Sequence, residues 1–325
     1  MSISSYEIQY MDILIDIYNN GYEDGINDRT GKSTKRLPGK IIQVDVEKEF
    51  PILKSKFVAS KTALREILWI WQQQSNNIHD LKAKIWNEWA DINGSIGNAY
   101  GNQAKRPVVI YTDPVHKTPK SFRAYKNQID YILEYLREFP TGRWGVATLW
   151  NPAELSQMNL VPCCHTSTWN LDGGRLNCVL DQRSGDIPYG VPFNTTQYAE
   201  LMILLARDLN VKPGILTHVI ADAHIYDSQM EGVEKQIANY LILCAAKTLL
   251  KADNLTEKQL HKVVDDTNAT VKIDNDLELI RQTITCKPAF VIESYDPSFW
   301  NIKPEECIVK DYTNLGKISF GDIAV

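Results

Sequence analysis

The sequence predicts a mixed α+β fold in a single domain. Segments with helical spacing of apolar residues alternate with short runs of strand period, and no repeat or low-complexity linker divides the 325 residues. With 44% hydrophobic and 23% charged residues, the chain can bury one large core. The expectation is one domain over 1–325, with the stretch around 250–310 set apart as a candidate insertion or appendage.

The first helix is read over 6–19, where Ile8, Met11, Ile15 and Tyr18 fall at helical spacing and Asn20-Gly21 supplies a C-cap. NDRTGKSTKRLPGK (27–40) reads as a polar loop and KIIQVDV (40–46) as a strand. KTALREILWIWQQQ (61–74) is a helix apolar nearly all round, hence buried. Glu66 is the anomaly on it, because a carboxylate among apolar neighbours is costly unless paired or used. The aromatic, glycine-punctuated segment 84–103 reads as an ordered loop and 127–139 as an amphipathic helix. Strands follow at 143–150 and 176–184, where Leu176, Cys178 and Leu180 alternate with polar positions. A helix over 195–209, a strand over 214–220 and a helix over 232–250 complete the readable part. Beyond 250 the chain is more charged and ends in a Gly- and Pro-punctuated tail.

The net charge of −5 implies no basic face, which argues against nucleic acid as a partner. No apolar run approaches the roughly 20 residues that span a bilayer, so no membrane partner is expected. The acidic N-terminus lacks the features of a signal peptide. Six cysteines are too sparse for a disulfide framework. A cytoplasmic protein is expected, in the host cytoplasm if its source is viral.

NLVPCCH (159–165) sets two thiols side by side. Adjacent cysteines do not match the spaced pairs of a zinc site, and Cys178, Cys244, Cys286 and Cys307 supply no second pair, so no metal is expected. A disulfide between neighbours would be strained. Two buried small hydrophobes are one reading. The other is that Cys163, presented after a proline, is a nucleophile. Arg183 favours its thiolate, and the Arg183–Ser184 pair is suited to clamp a phosphate.

NDRTGKST, REILWI, KIWNEWADINGSIGNAYG, VPC, QRSGD, YGVPFN, ADAHIY and a closing IAV occur in the order and near the spacing of the thymidylate synthase family. The motif C-x₁₉-R-S-x-D-x₇-N, from Cys163 to Asn194, is highly specific, and the chain resembles that family over most of 8–230 and at the C-terminal tail. The resemblance implies a three-layer α/β fold with a mixed twisted sheet, working as a homodimer. It implies deoxyuridine monophosphate (dUMP) as substrate and 5,10-methylenetetrahydrofolate as co-substrate. Cys163 would attack C6 of the pyrimidine. Arg29, Arg183 and Ser184 would hold the phosphate, with Arg143 reaching in from the other subunit. Asn194 would read the base, and His224 and Tyr226 the sugar hydroxyl. Glu66 would organise water and move protons, and Tyr100 would lie by the C5 proton path. Asp186 would bind the pterin, beside Trp86 and Trp89. The residues ending at Val325 would close over the folate.

The sequence departs from the family's pattern at Cys164, where a histidine is usual, and at Trp144, where a second arginine is usual. It departs again at Ala104, in place of tryptophan, and at Ser228-Gln229, in place of Asn-His. Related hydroxymethylases depart at some of the same places. Losing bulk at Ala104 and altering the polar surroundings at Cys164 would admit water to the exocyclic methylene, so the favoured expectation is a deoxyuridylate hydroxymethylase. The alternative is a thymidylate synthase completing the reaction with hydride, for which Trp86, Trp89 and the IAV ending are suited. A silent nucleotide-binding relative is the third reading, and the set Cys163, Glu66, Arg183, Asp186, Asn194 speaks against it.

Overall fold

A computed structural model describes residues 3–27, 30–111, 122–251 and 273–321. Arg29, Val325 and the 252–272 part of the expected appendage lie outside them.

The sequence supplies an interior through helix α1 (Ser5–Asn20), which is capped by the Ser4 side chain on the Glu7 N–H and buries Tyr6, Tyr10, Met11, Leu14 and Ile17. The short, exposed β1 (Tyr22–Glu23) and the long β2 (Thr34–Asp45) follow. Helix α2 (Ser60–Trp71) is buried as its composition predicts, Glu66 included. A single turn, α3 (Ile78–Leu81), follows; the segment expected as a loop over 84–103 contains a turn of 3₁₀ helix at Asn87–Trp89 and ends in the single turn α4 (Gly101–Ala104). A hairpin of β3 (Val108–Tyr111) and β4 (Phe122–Tyr125) leads to α5 (Gln128–Glu138) and β5 (Val146–Thr148). Then come β6 (Cys164–Asp172), β7 (Arg175–Gln182), β8 (Gly185–Asp186), α6 (Gly190–Asp208) and β9 (Lys212–Tyr226). The chain closes with α7 (Met230–Lys251), α8 (Ile273–Thr285) and a hairpin of β10 (Ala289–Ile292) with β11 (Cys307–Lys310).

Seven strands form the main sheet, in the order β1-β2-β9-β7-β6-β5, with β8 also on β9. β7 and β8 both run parallel to β9, which requires the crossover that α6 provides. They are one strand line interrupted at Arg183–Ser184: Gln182 pairs with Ile220, and pairing resumes at Gly185 with Ala223. The interruption frees the two side chains from the ladder just where the site forms. One face of the sheet packs on α1 and α6, with α2 packed on α6, around the main core, with Ile42, Val44, Leu180, Leu216 and Ile220 buried. The other face carries half-buried Val179, Ile215 and Val219 and the 57%-exposed Ile41.

One expectation needs correction. Part of the loop expected over 27–40 is strand from Thr34, and its Pro38 pairs with Asp222. Gly39, between the paired Pro38 and Lys40, takes a φ of +63°, a conformation that suits glycine. The strand region expected to begin at Cys163 is β6, whose bounds are not legible in the sequence because outward positions such as His165, Thr166 and Thr168 hide the alternation of buried Cys164, Ser167 and Trp169. Within 273–310, α8 packs on α7 through a second cluster that includes Ile242, Leu243, Ile280 and Ile284, while Phe299, Ile302 and Cys307 join the main core.

Candidate active site

Contacts tie Cys163, Tyr100, Trp86, Glu66, Asn194, Arg183 and Ser184, all singled out in the sequence, into a closed circuit. Cys163 lies partly exposed just before β6, and Cys164 opens the strand facing the interior. The Cys163 N–H donates to the Tyr100 hydroxyl at 3.1 Å. Tyr100 takes a φ of +44°, uncommon for a bulky residue, and its ring meets Trp86 edge-on at 4.9 Å. The Trp86 indole N–H donates to Glu66 Oε1 at 2.7 Å, and Gln197 Nε2 donates to Glu66 Oε2 at 2.8 Å. Asn194 Nδ2 donates to Gln197 Oε1 at 3.1 Å, and Gln182 Nε2 donates to Asn194 Oδ1 at 3.2 Å and to the Ser184 carbonyl at 2.9 Å. The next residue, Arg183, returns to the start with Nη2 3.8 Å from Cys163 Sγ.

Burial sets the electrostatics of this circuit. It raises the Glu66 carboxyl to about 7, against the lowering by the Trp86 and Gln197 donors. The group therefore sits where it can both hold and release a proton near neutrality. Burial lowers His218 to about 3, so its imidazole is neutral. Since Gln182 Oε1 can only accept, the 2.7 Å contact with His218 Nε2 places the imidazole proton on that nitrogen. Cys164, which burial keeps well above the ordinary thiol range, donates its S–H to the same oxygen at 3.4 Å.

A second group adjoins the first, with Gly190 between Asp186 and Asn194. Asp186 is half-buried at the end of β8. Its Oδ1 accepts from the Tyr189 N–H at 3.1 Å, and Gln229 Nε2 reaches Oδ1 at 3.1 Å and Oδ2 at 2.9 Å. Burial raises this carboxyl, opposed first by His224 and then by these donors and Lys56. Lys56, which burial lowers to about 8, donates to the Pro188 carbonyl and lies 4.7 Å from the Phe320 ring centroid. The Tyr189 hydroxyl takes the Phe320 N–H at 3.4 Å and donates to the Gly321 carbonyl at 3.2 Å, so the C-terminal segment lands here. Lys56, Phe57, Tyr189, Phe193, Lys317 and Phe320 line an adjoining cavity of about 290 Å³. His224 and Tyr226, at the end of β9, meet edge-on at 5.1 Å.

Trp86 is buried, with its indole committed to Glu66, while Trp89 is half-exposed and meets Trp86 edge-on at 5.5 Å. Arg143 is exposed and takes no part in these contacts, and its neighbour Trp144 stacks on Tyr135. Sequence reasoning missed Gln182, Gln197, His218, Lys56, Tyr189 and Gln229. Gln182 and Tyr189 stood within the motifs QRSGD and YGVPFN and Gln229 at a departure from the family pattern, without a role read for any of them, and Gln197 lies three residues after Asn194 and so on the same helix face.

A thiol under a guanidinium, a buried carboxyl poised near neutrality and a held amide within one circuit are the equipment of covalent catalysis on a small polar ring. A family model described as thymidylate synthase matches residues 8–324. A thymidylate synthase of Clostridium beijerinckii is 43% identical over 238 residues, covering 72% of this chain and 82% of that one. Thymidylate synthase 1 of Bacillus subtilis is 34% identical over 246 residues, covering 72% and 84%. Among solved structures, the thermostable thymidylate synthase A from Bacillus subtilis superposes with a TM-score of 0.71 at 26% identity, covering 98% of this chain and 99% of that one. The chain belongs to the thymidylate synthase family, and is an enzyme of that family's one-carbon transferase class.

The hydroxymethylase expectation finds no support. These relatives are thymidylate synthases, and neither of the two side chains whose departure motivated it is open to solvent. Ala104 is wholly buried in the main core, and Cys164 is buried with its S–H spent on Gln182. Among the described residues, no cluster of His, Cys, Asp or Glu is arranged to hold a metal ion, and no helix is long and apolar enough to cross a membrane.

Proposed function

We propose that this chain is a cytoplasmic thymidylate synthase, converting dUMP to dTMP with 5,10-methylenetetrahydrofolate. The observation that carries the reading is the held amide of Asn194. Its Oδ1 accepts from Gln182 and its Nδ2 donates to Gln197, which leaves one lone pair and one N–H for a base edge. That pattern complements the O4 acceptor and N3–H donor of uracil.

Cys163 adds to C6 of the bound uracil, with Arg183 favouring the thiolate, and leaves by elimination at the end. Glu66 relays protons at the base through ordered water. Arg183, Ser184 and Arg29 bind the phosphate, with Arg143 from a second copy; His224 and Tyr226 bind the sugar hydroxyl. The half-buried Asp186 fits the folate, because Oδ2 retains acceptor capacity for a pterin N–H and the cavity beside it is apolar with lysines at its edge. Trp86 and Trp89 stack nearby, Tyr100 borders the proton path, and the tail ending at Val325 closes the site. The folate supplies the one-carbon unit and the hydride. A homodimer is supported by the sheet face that carries Ile41, Val179, Ile215 and Val219.

Mass spectrometry of the nucleotide after incubation with dUMP and methylenetetrahydrofolate tests the reading. Gain of a methyl group, with dihydrofolate absorbance rising at about 340 nm, is expected for hydride transfer. Gain of a hydroxymethyl group, with tetrahydrofolate released unoxidised, would overturn it.

A further inference from the structure

Gln229 has no part in the roles above, yet it is fully buried and directs its amide at the Asp186 carboxylate. We propose that Gln229 is a positioning residue for the second substrate: it aims Asp186 at the folate and ties that carboxylate to the sugar-binding end of β9. The inference rests on the thymidylate synthase reading and adds to it a residue at one of the places where this chain departs from the family pattern.

A carboxylate offers about four acceptor sites. The Tyr189 N–H and Gln229 take both on Oδ1, and Gln229 takes one on Oδ2. What remains is a single direction on Oδ2. The orientation of Gln229 is itself fixed, because its Oε1 accepts the Tyr226 backbone N–H at 2.9 Å, a donor that cannot reverse. The amide nitrogen must then face Asp186. One side chain so links the strand end bearing His224 and Tyr226 to the carboxylate of the folate side. Ser228, the residue before it, lies under the C-terminal segment, where a Cβ on Gly321 would come within 2.9 Å of its carbonyl oxygen. Strand end, carboxylate and tail therefore meet at residues 228–229.

Two variants and a rescue separate positioning from structure. Gln229→Met keeps length and apolar bulk and removes the donor. The loss of hydrogen bonds to a charged group is expected to raise KM for methylenetetrahydrofolate about 10-fold or more. Binding of dUMP alone, measured by calorimetry, should stay within about 2-fold. Gln229→His, which restores an N–H donor, should recover most of the folate KM. Gln229→Glu keeps the shape but sets two carboxylates together, and should weaken folate at least as much as Met does. The proposal falls if Gln229→Met leaves the folate KM unchanged, or if it weakens dUMP and folate by the same factor. Should the Met variant fail to fold, Gln229→Glu decides, and a folate KM equal to wild type there overturns the proposal. Wild-type protein that binds no dUMP and turns none over would instead refute the parent reading of the site.

Discussion

Arg183 Nη2 lies 3.8 Å from Cys163 Sγ while the same guanidinium donates to the carbonyls of Val161 at 2.8 Å and Pro162 at 3.0 Å. The arginine thus shapes the turn that presents the thiol and places its charge on the sulfur at once. Lysine has the charge without the fork. Arg183→Lys is expected to lower kcat at least about 10-fold through loss of the carbonyl contacts, and Arg183→Gln further. Alkylation of Cys163 by iodoacetamide at neutral pH, followed by mass spectrometry, should slow in the order Lys, then Gln. Equal rates in all three proteins would show that the guanidinium does not act on the sulfur.

Glu66 gives the pH dependence. With the carboxyl raised by burial to about 7, the rate should show a limb near pH 7 that Glu66→Gln removes, with a loss on the order of 10² to 10⁴ in kcat. The Trp86 indole stabilises the charged form, so Trp86→Phe should shift the limb to higher pH. A shift the other way would exclude the indole as a donor to the carboxylate. The effect on stability has a definite sign. A folded-state value above the unfolded one contributes fully at low pH, and the contribution declines as pH rises toward about 7.

Glu200 is wholly buried on α6, and neither carboxylate oxygen finds a hydrogen-bond partner among the described residues. Burial raises its carboxyl well above the ordinary range, so folding above that ordinary range requires taking up a proton. Glu200→Met should stabilise the protein by about 1–3 kcal/mol at pH 7, with the gain shrinking as pH falls toward the carboxylate range. Denaturant melts at pH 5 and pH 7 would show it. A variant less stable at both would mean that the acid is satisfied in solution.

The Tyr189 hydroxyl is the clip for Phe320 and Gly321. Tyr189→Phe removes two neutral hydrogen bonds and keeps the ring against Phe320. The folate KM should rise about 3- to 10-fold, and digestion by carboxypeptidase should speed up. If neither moves, the tail is held by its apolar contacts alone.

Much of the layout was legible in the residues. α1, α2, α5 and α6 fall within a few residues of their expected bounds because their apolar faces are strong. The exception is the start of α6 at Gly190, where Pro192 is tolerated in the first turn. The carboxylate on α2 was recognisable as out of place, but its partners were not, since Trp86 is 20 residues away and Gln197 is 131. Gln182 and His218 look like ordinary strand residues until the parallel pairing of β7 and β9 brings them together. Neutral amides carry no anomaly of charge, so the tertiary structure is what shows their partners.

The line of amides from Glu66 to Gln182 has a polarity of its own. At one end Gln182 faces the Ser184 carbonyl, and at the other Gln197 faces the Ala63 carbonyl at 3.3 Å and a carboxylate. Neither backbone oxygen can become a donor. Reversing Asn194 alone would set nitrogen against nitrogen and oxygen against oxygen on its two sides. An aspartate in its place would confront the Gln197 carbonyl with a second acceptor and must take up a proton or turn that glutamine over. The choice between uracil and cytosine is therefore written into more than one side chain, and a lineage that changed its base would leave a trace at 197 as well as at 194.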